Sequence, residues 1–220
     1  MHMFDTPAPV SAVLDIPAGR IRLIATERAD TVVEILPADA TKSRDVKAAE
    51  QATVEYAHGV LRIRASAKNQ ILGPSGSIEV TGQLPAGSRV ELKAASAELR
   101  GIGRLGDVAV EGAQGEVKLD EAAGVRLTTA AGDVSIGRLG GSAEISTGKG
   151  DLQIAEAMGG TVVLRTQAGA ISVGAARGVS AALDANTGYG RISNSLKNDG
   201  TAALDIRATT AYGDITVRSL

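Results

Sequence analysis

The sequence predicts an all-β protein: a single-stranded β-solenoid (β-helix) of about seven short coils, capped by an irregular N-terminal β region. Three observations carry this reading. From Ser88 onward a unit recurs: apolar-x-apolar-x-small, a polar pair, Gly-acid, apolar-x-apolar, with mid-unit glycines at 115, 132, 150, 169, 190 and 213. Within each short run the alternation is strict, which is the period-2 signature of a half-buried strand, and no stretch sustains a 3.6-residue apolar period. The composition fits a narrow core, because 220 residues hold 27 Gly but only one Phe, three Tyr and no Trp. Val, Ile, Leu and Ala can fill such an interior, and glycine supplies the corners at little steric cost.

Two segments follow, residues 1–87 as an N-terminal β region and cap continuous with the solenoid, and residues 88–220 as the repeats. In the first, Val13-Leu14-Asp15-Ile16 leads through Pro17-Ala18-Gly19 to Ile21-Arg22-Leu23-Ile24, and Thr31-Val32-Val33-Glu34-Ile35 reads as the next strand. Residues 38–51 are charged (Lys42, Arg44, Asp45, Lys47, Glu50), a loop or a short surface helix. Val54-Glu55-Tyr56 and Leu61-Arg62-Ile63 flank Ala57-His58-Gly59 and read as a hairpin. In the second, Ser88 to Leu99 opens the repeats. Clear copies are Val108 to Leu119, Val125 to Ile136, Ala143 to Ile154, Val162 to Val173 and Leu204 to Val217, with a looser one from Ala181 to Ile192. The competing architecture is an antiparallel meander in which Ala131-Gly132-Asp133 turns a hairpin.

In a solenoid, equivalent residues of successive coils stack about 4.8 Å apart. The inward column is then Ala94, Gly112, Thr129, Thr147, Thr166, Ala185 and Ala208, small or hydroxylated as a tight corner requires. An outward column is Lys93, Glu111, Thr128, Ser146, Arg165, Asp184 and Arg207. It places Lys93 beside Glu111, and Asp184 between Arg165 and Arg207. Such exposed pairs are worth only about 0.2–1 kcal/mol each, so they set register more than stability. After Val217 only Arg218-Ser219-Leu220 follows, so the last coil is expected to leave strand edges unpaired. Its own Asp and Arg side chains blunt that edge, or self-association buries it.

Charge and composition remove several function classes. With 23 basic and 25 acidic residues the net charge is −2, against the basic excess of nucleic-acid binders. The absence of Cys removes disulfide scaffolds, Cys-ligated zinc and thiol catalysis. No apolar run approaches the ~20 residues of a membrane span. Met1-His2-Met3-Phe4-Asp5 shows neither a basic n-region nor an apolar h-region, which makes the cytoplasm the expected compartment.

No catalytic, cofactor-binding or metal-binding residue is assigned. Gly101-Ile102-Gly103-Arg104-Leu105-Gly106 matches a dinucleotide-binding pattern, but Asp107-Val108-Ala109-Val110 follows as a strand where that site needs a helix. The acids after the mid-unit glycines (Glu116, Asp133, Asp151, then Ala170, Arg191, Asp214) form a column that either attracts a divalent cation or consists of turn residues bonding their own backbone. Tyr189 and Tyr212 fall one coil apart near one corner, the sole aromatic pair able to form a sugar platform; the plainer reading is that they cover that corner. His58 sits in a turn away from the repeats. The polar stretch from Lys68 to Gly76 lacks the Gly-Lys-Ser/Thr ending of a phosphate loop.

The grammar of Leu14-Asp15-Ile16-Pro17-Ala18-Gly19, of Leu84-Pro85-Ala86-Gly87 and of the repeated Gly-Asp-Val/Ile units resembles the putative-adhesin (DUF4097-type) family of bacterial β-strand-repeat proteins, over about residues 10–220. The resemblance implies a right-handed or bactofilin-like β-solenoid and a link to envelope stress or surface adhesion, and it carries over no catalytic residues. The functional expectation is a non-catalytic binding or assembly module, not an enzyme and without a cofactor. It would engage a protein partner, or itself, through the C-terminal coil edge, with no nucleic acid, no membrane span and carbohydrate disfavoured. The alternatives are a bactofilin-like self-assembling scaffold and a carbohydrate-active solenoid enzyme.

Overall fold

A computed structural model describes residues 1–65 and 76–220. The first part of the chain forms β1 (His2–Asp5), β2 (Ser11–Asp15), β3 (Ala18–Thr26), β4 (Asp30–Pro37), α1 (Ser43–Glu50), β5 (Thr53–Ala57), β6 (Val60–Arg64) and β7 (Ile78–Pro85). The repeats form β8 (Arg89–Gln114), β9 (Val117–Ala131), β10 (Val134–Leu139), β11 (Ala143–Lys149), β12 (Leu152–Ala157) and β13 (Gly160–Ala168). They continue as β14 (Ile171–Ala175), β15 (Ala181–Tyr189), β16 (Ile192–Ser195), β17 (Leu204–Tyr212) and β18 (Ile215–Ser219). The charged stretch 38–51 thus contains a two-turn helix, where the sequence left loop and helix open.

The alternation of the repeats winds the chain into two facing parallel sheets. One stacks β6, β2, residues 89–93 and 107–111 of β8, the second half of β9, β11, β13, β17 and β15. The other stacks β7, β3, the middle of β8, the first half of β9, β10, β12, β14, β18 and β16. Every one of these pairings is parallel, so the meander is excluded and Ala131-Gly132-Asp133 turns a coil corner. The seven repeat coils are all present, and residues 11–26 and 60–85 add a layer each.

Two aliphatic columns per sheet fill the interior. Val125, Ala143, Val162 and Ile206, with Leu127, Ile145, Leu164 and Ala208, line one sheet. Val117, Val134, Leu152, Ile171 and Ile215, with Leu119, Ile136, Ile154, Val173 and Val217, line the other. All are buried, and burial of each Val, Leu or Ile among them is worth about 1.5–3 kcal/mol. The corners between the sheets are held to backbone thickness. At Gly132 φ is 146°, and a Cβ there would lie 1.9 Å from the carbonyl oxygen of Gly115 in the adjacent layer.

Chain order and spatial order part company at both ends. The layer β2–β3 lies inside the layer β6–β7. The last segment, β17–β18, lies between β13–β14 and β15–β16. The sequence reading placed residues 204–219 at the exposed end; the structure places residues 181–195 there. Aliphatic content explains the choice, because β17 and β18 turn Leu204, Ile206, Ala208, Ile215 and Val217 inward where β15 and β16 offer Ala181, Leu183, Ala185, Ile192 and the polar Asn194. The former are all buried, whereas Ala181 is the one fully buried residue of β15 and β16. The layer richer in aliphatic side chains takes the inner position.

This nesting also moves the columns. Thr166 stacks on Thr210, and Thr210 on Thr187, so the inward column ends in those threonines and not in Ala208 and Ala185. Their hydroxyls donate to backbone carbonyls as the corner requires: Thr166 to Gly150 at 3.1 Å, Thr210 to Gly169 at 3.0 Å and Thr187 to Gly213 at 2.9 Å. In the outward column Lys93 meets Glu111 at 3.6 Å. Asp184 stands opposite Arg207, but Arg165 reaches Glu144 at 3.7 Å, because Asp184 is two layers away from it.

Candidate functional site

The two ends of the solenoid are built differently. At the N-terminal end β4 lies antiparallel on β7 and β1 antiparallel on β4, while β5 folds back antiparallel on β6. The β5–β6 turn is His58-Gly59, with φ of 51° and 77°, the two positive values a tight hairpin favours. Between the sheets the rings of Phe4 and Tyr56 meet at a centroid distance of 5.5 Å and close the interior. The helix α1 packs on β4, and its buried Asp45 accepts the Ser77 N–H at 2.9 Å.

No such plug stands at the other end among the described residues. There β15 pairs only with β17, and β16 only with β18. The Lys197 carbonyl, in the loop after β16, accepts the outward N–H of Ala181 at 3.0 Å; beyond it the outer edges of β15 and β16 hold backbone N–H and C=O groups free to join a further strand. Toward the interior this layer presents Leu183, Ala185 and Thr187 from one sheet, and Ile192, 46% exposed, from the other. Asn194 occupies the column that Leu119, Ile136, Ile154, Val173 and Val217 fill in the layers below. At the adjoining corner Tyr189 and Tyr212 stack face to face, with centroids 5.1 Å apart and planes 3° from parallel. They are 71% and 60% exposed, so they do not cover the corner but project from it. The loop leaving β16 is tied back through Asp199, whose carboxyl the Ser180 hydroxyl, and then the Thr201 N–H, hold below the usual carboxylate range.

The acids of the column do not bond their own turns. The Asp133 carboxylate accepts the Asp151 N–H at 2.8 Å, Asp151 accepts the Ala170 N–H at 2.7 Å, and Asp214 accepts the Arg191 N–H at 2.8 Å. Each of these three carboxylates binds the backbone of the next layer, and Glu116, the first of the column, shares no such bond among the described residues. Among the described residues no group of three or more His, Cys, Asp or Glu is placed to hold a metal ion. Gly101 to Gly106 lies inside β8, where a Cβ on Gly103 would strike the Ala25 carbonyl at 2.1 Å; these glycines serve close packing. His58 is remote from the open end. Lys68 to Ser75 lies outside the described residues. No helix among the described residues is long and apolar enough to cross a membrane.

Two shallow furrows mark the sheet exteriors. One, of about 360 Å³, runs past Arg20, Arg22, Glu79, Arg100 and Lys118. The other, of about 500 Å³, runs past Arg89, Asp107, Arg126 and Glu144. Ion pairs fill much of both: Arg20 with Glu79, Arg100 with Asp120 at 2.7 Å, and Arg89 with Asp107 at 3.4 Å.

The fold is thus a two-sheet parallel β-solenoid with one plugged and one open end. The chain belongs to the Toastrack DUF4097 family, whose model matches residues 13–219, as the Pro-Ala-Gly and Gly-Asp motifs led one to expect. No curated protein matches it. Solved structures similar to it include a putative cell adhesion protein from Clostridium sporogenes, at 11% identity and a TM-score of 0.44, covering 100% of this chain and 98% of that one. A putative adhesin from Bacteroides fragilis has 11% identity and a TM-score of 0.43, covering 98% and 95%. A putative adhesin from Parabacteroides distasonis has 11% identity and a TM-score of 0.41, also covering 98% and 95%.

Proposed function

We propose that this chain is a non-catalytic binding or assembly module, adhesin-like in working through surface contact, and that its working surface is the open terminal layer formed by residues 181–195. The observation that carries the reading is the contrast between the ends: Phe4 and Tyr56 plug one, while the other offers two unpaired strand edges, Ile192 and the projecting Tyr189–Tyr212 stack. Unpaired edges recruit strands by backbone hydrogen bonding, and exposed tyrosines add contact area at low entropic cost. Asp133, Asp151 and Asp214 are engaged in holding neighbouring layers, and Glu111 and Glu144 in ion pairs, which supports binding over catalysis.

A photo-crosslinking residue placed at position 192, and separately at position 135 on the lateral sheet, tests this in the living cell. Adducts are expected from position 192. Adducts from position 135 alone would move the working surface to the sheet face.

A further inference from the structure

We infer that the occupant of the open end is a second copy of this chain, docked tail to tail about a two-fold axis so that β15 meets β15 and β16 meets β16. The inference rests on the terminal layer being the working surface, and it follows from the shapes and directions of the two ends. At the N-terminal end one sheet extends beyond the β6–β7 layer by β5 alone and the other by β4 and β1, leaving a step of one strand, about 4.8 Å. At the other end both sheets stop at the same layer. A flush end does not seat on a stepped one, so head-to-tail growth into a filament is disfavoured and a closed isologous pair is favoured.

A two-fold axis perpendicular to the solenoid reverses the strands it relates, so like strands meet antiparallel, the commoner and slightly more stable pairing. The Ala181 N–H already donates to the Lys197 carbonyl at 3.0 Å, so the pairing uses residues 183–187 of β15 on their own counterparts and, to keep the faces in step, residues 192–194 of β16 centred on Ser193. A register centred on Ala185 keeps the interior sides of both copies on one side of the joined sheet. It sets Ala185 against its own counterpart, Leu183 against Thr187, and Asp184 against Asn186 of the second copy. No like charges face each other, and the Asp184 carboxylate meets an amide donor. Ile192, half-exposed in the single chain, is covered by the facing layer.

The interface is small, since a standard interface uses about 20–30 residues a side. Asn194 at a core position also keeps the uncovered layer tolerable in water. The pair is therefore reversible and concentration-dependent.

The chain has no cysteine, so Ala185→Cys introduces a single thiol at the two-fold, and antiparallel neighbours lie within the Cα separation a disulfide spans. The wild-type protein is expected to sediment as a monomer–dimer equilibrium. Ala185→Cys should give a covalent dimer on mild oxidation, and the exposed Ser172→Cys, on the lateral sheet, should not. Ile192→Lys, on the half-exposed edge layer, should weaken dimerisation at least about tenfold by burying an unpaired charge. A wild-type monomer at every concentration, or a dimer that Ser172→Cys traps and Ala185→Cys does not, overturns the second copy as occupant. A monomer that still yields adducts from position 192 would leave the binding surface standing with a different partner.

Discussion

At Gly150 the chain has no room for a side chain. A Cβ there would sit 2.2 Å from the Gly132 carbonyl oxygen, and φ is 144°. Gly178 has φ of 78° but nothing within 4 Å of the would-be Cβ. Gly150→Ala is therefore expected to cost about 2–4 kcal/mol, through backbone strain together with forced separation of two layers, and Gly178→Ala only about 1 kcal/mol. Urea unfolding of the two variants checks this, and equal losses would show that strain alone, without the stack, sets the cost. The same glycines show how a residue pattern can be legible while its register slips. Three residues before 132, 150, 169, 190 and 213 stand Thr129, Thr147, Thr166, Thr187 and Thr210, the column the structure contains. Counting from the apolar start of each unit lands on Ala185 and Ala208 instead, because the last two units carry two more residues before the corner. The glycine, pinned by a neighbouring carbonyl, is the better origin.

Among the elements, successive strands are joined by side chain as well as by backbone. A carboxylate at the start of one strand spans the inter-strand distance and takes the first N–H of the next layer, as Asp151 does for Ala170. Asp151→Asn keeps an acceptor of the same shape, so its melting temperature should stay near that of the wild type. Asp151→Ala should lose about 0.5–1.5 kcal/mol, the net worth of one hydrogen bond, roughly 2–5 °C for a chain of this size. If the asparagine variant fell as far as the alanine one, charge and not the acceptor would be what the position supplies. The acid column was visible in the sequence, but its use was not. Spacing alone shows that carboxylates recur about 4.8 Å apart; that each faces an unpartnered N–H depends on the corner geometry the glycines impose. The tyrosine pair was visible for a simpler reason, since parallel in-register layers bring equivalent residues together.

For the whole molecule, the solenoid, its seven repeat coils and its family motifs could be read from the sequence, and the order of the layers could not. Nearest-neighbour stacking is the natural assumption for a repeat, and it put residues 204–219 at the end. The departure left a trace: the glycine steps lengthen from 17, 18 and 19 to 21 and 23 residues where the chain skips a layer and then returns. Extra length there is the slack needed to pass β15 and β16 over the vacant position that β17 and β18 fill. The unpaired edges of residues 181–195, and with them the proposed binding surface, exist only because of this nesting. Hydrogen–deuterium exchange, at a dilution where the protein sediments as a monomer, tests it most directly. The nested order predicts slow exchange across 204–219, paired on both sides, and faster exchange across 181–195, paired on one. Slower exchange in 181–195 than in 204–219 would mean that the layers stack in chain order, and the open end would then belong to the C-terminal coil.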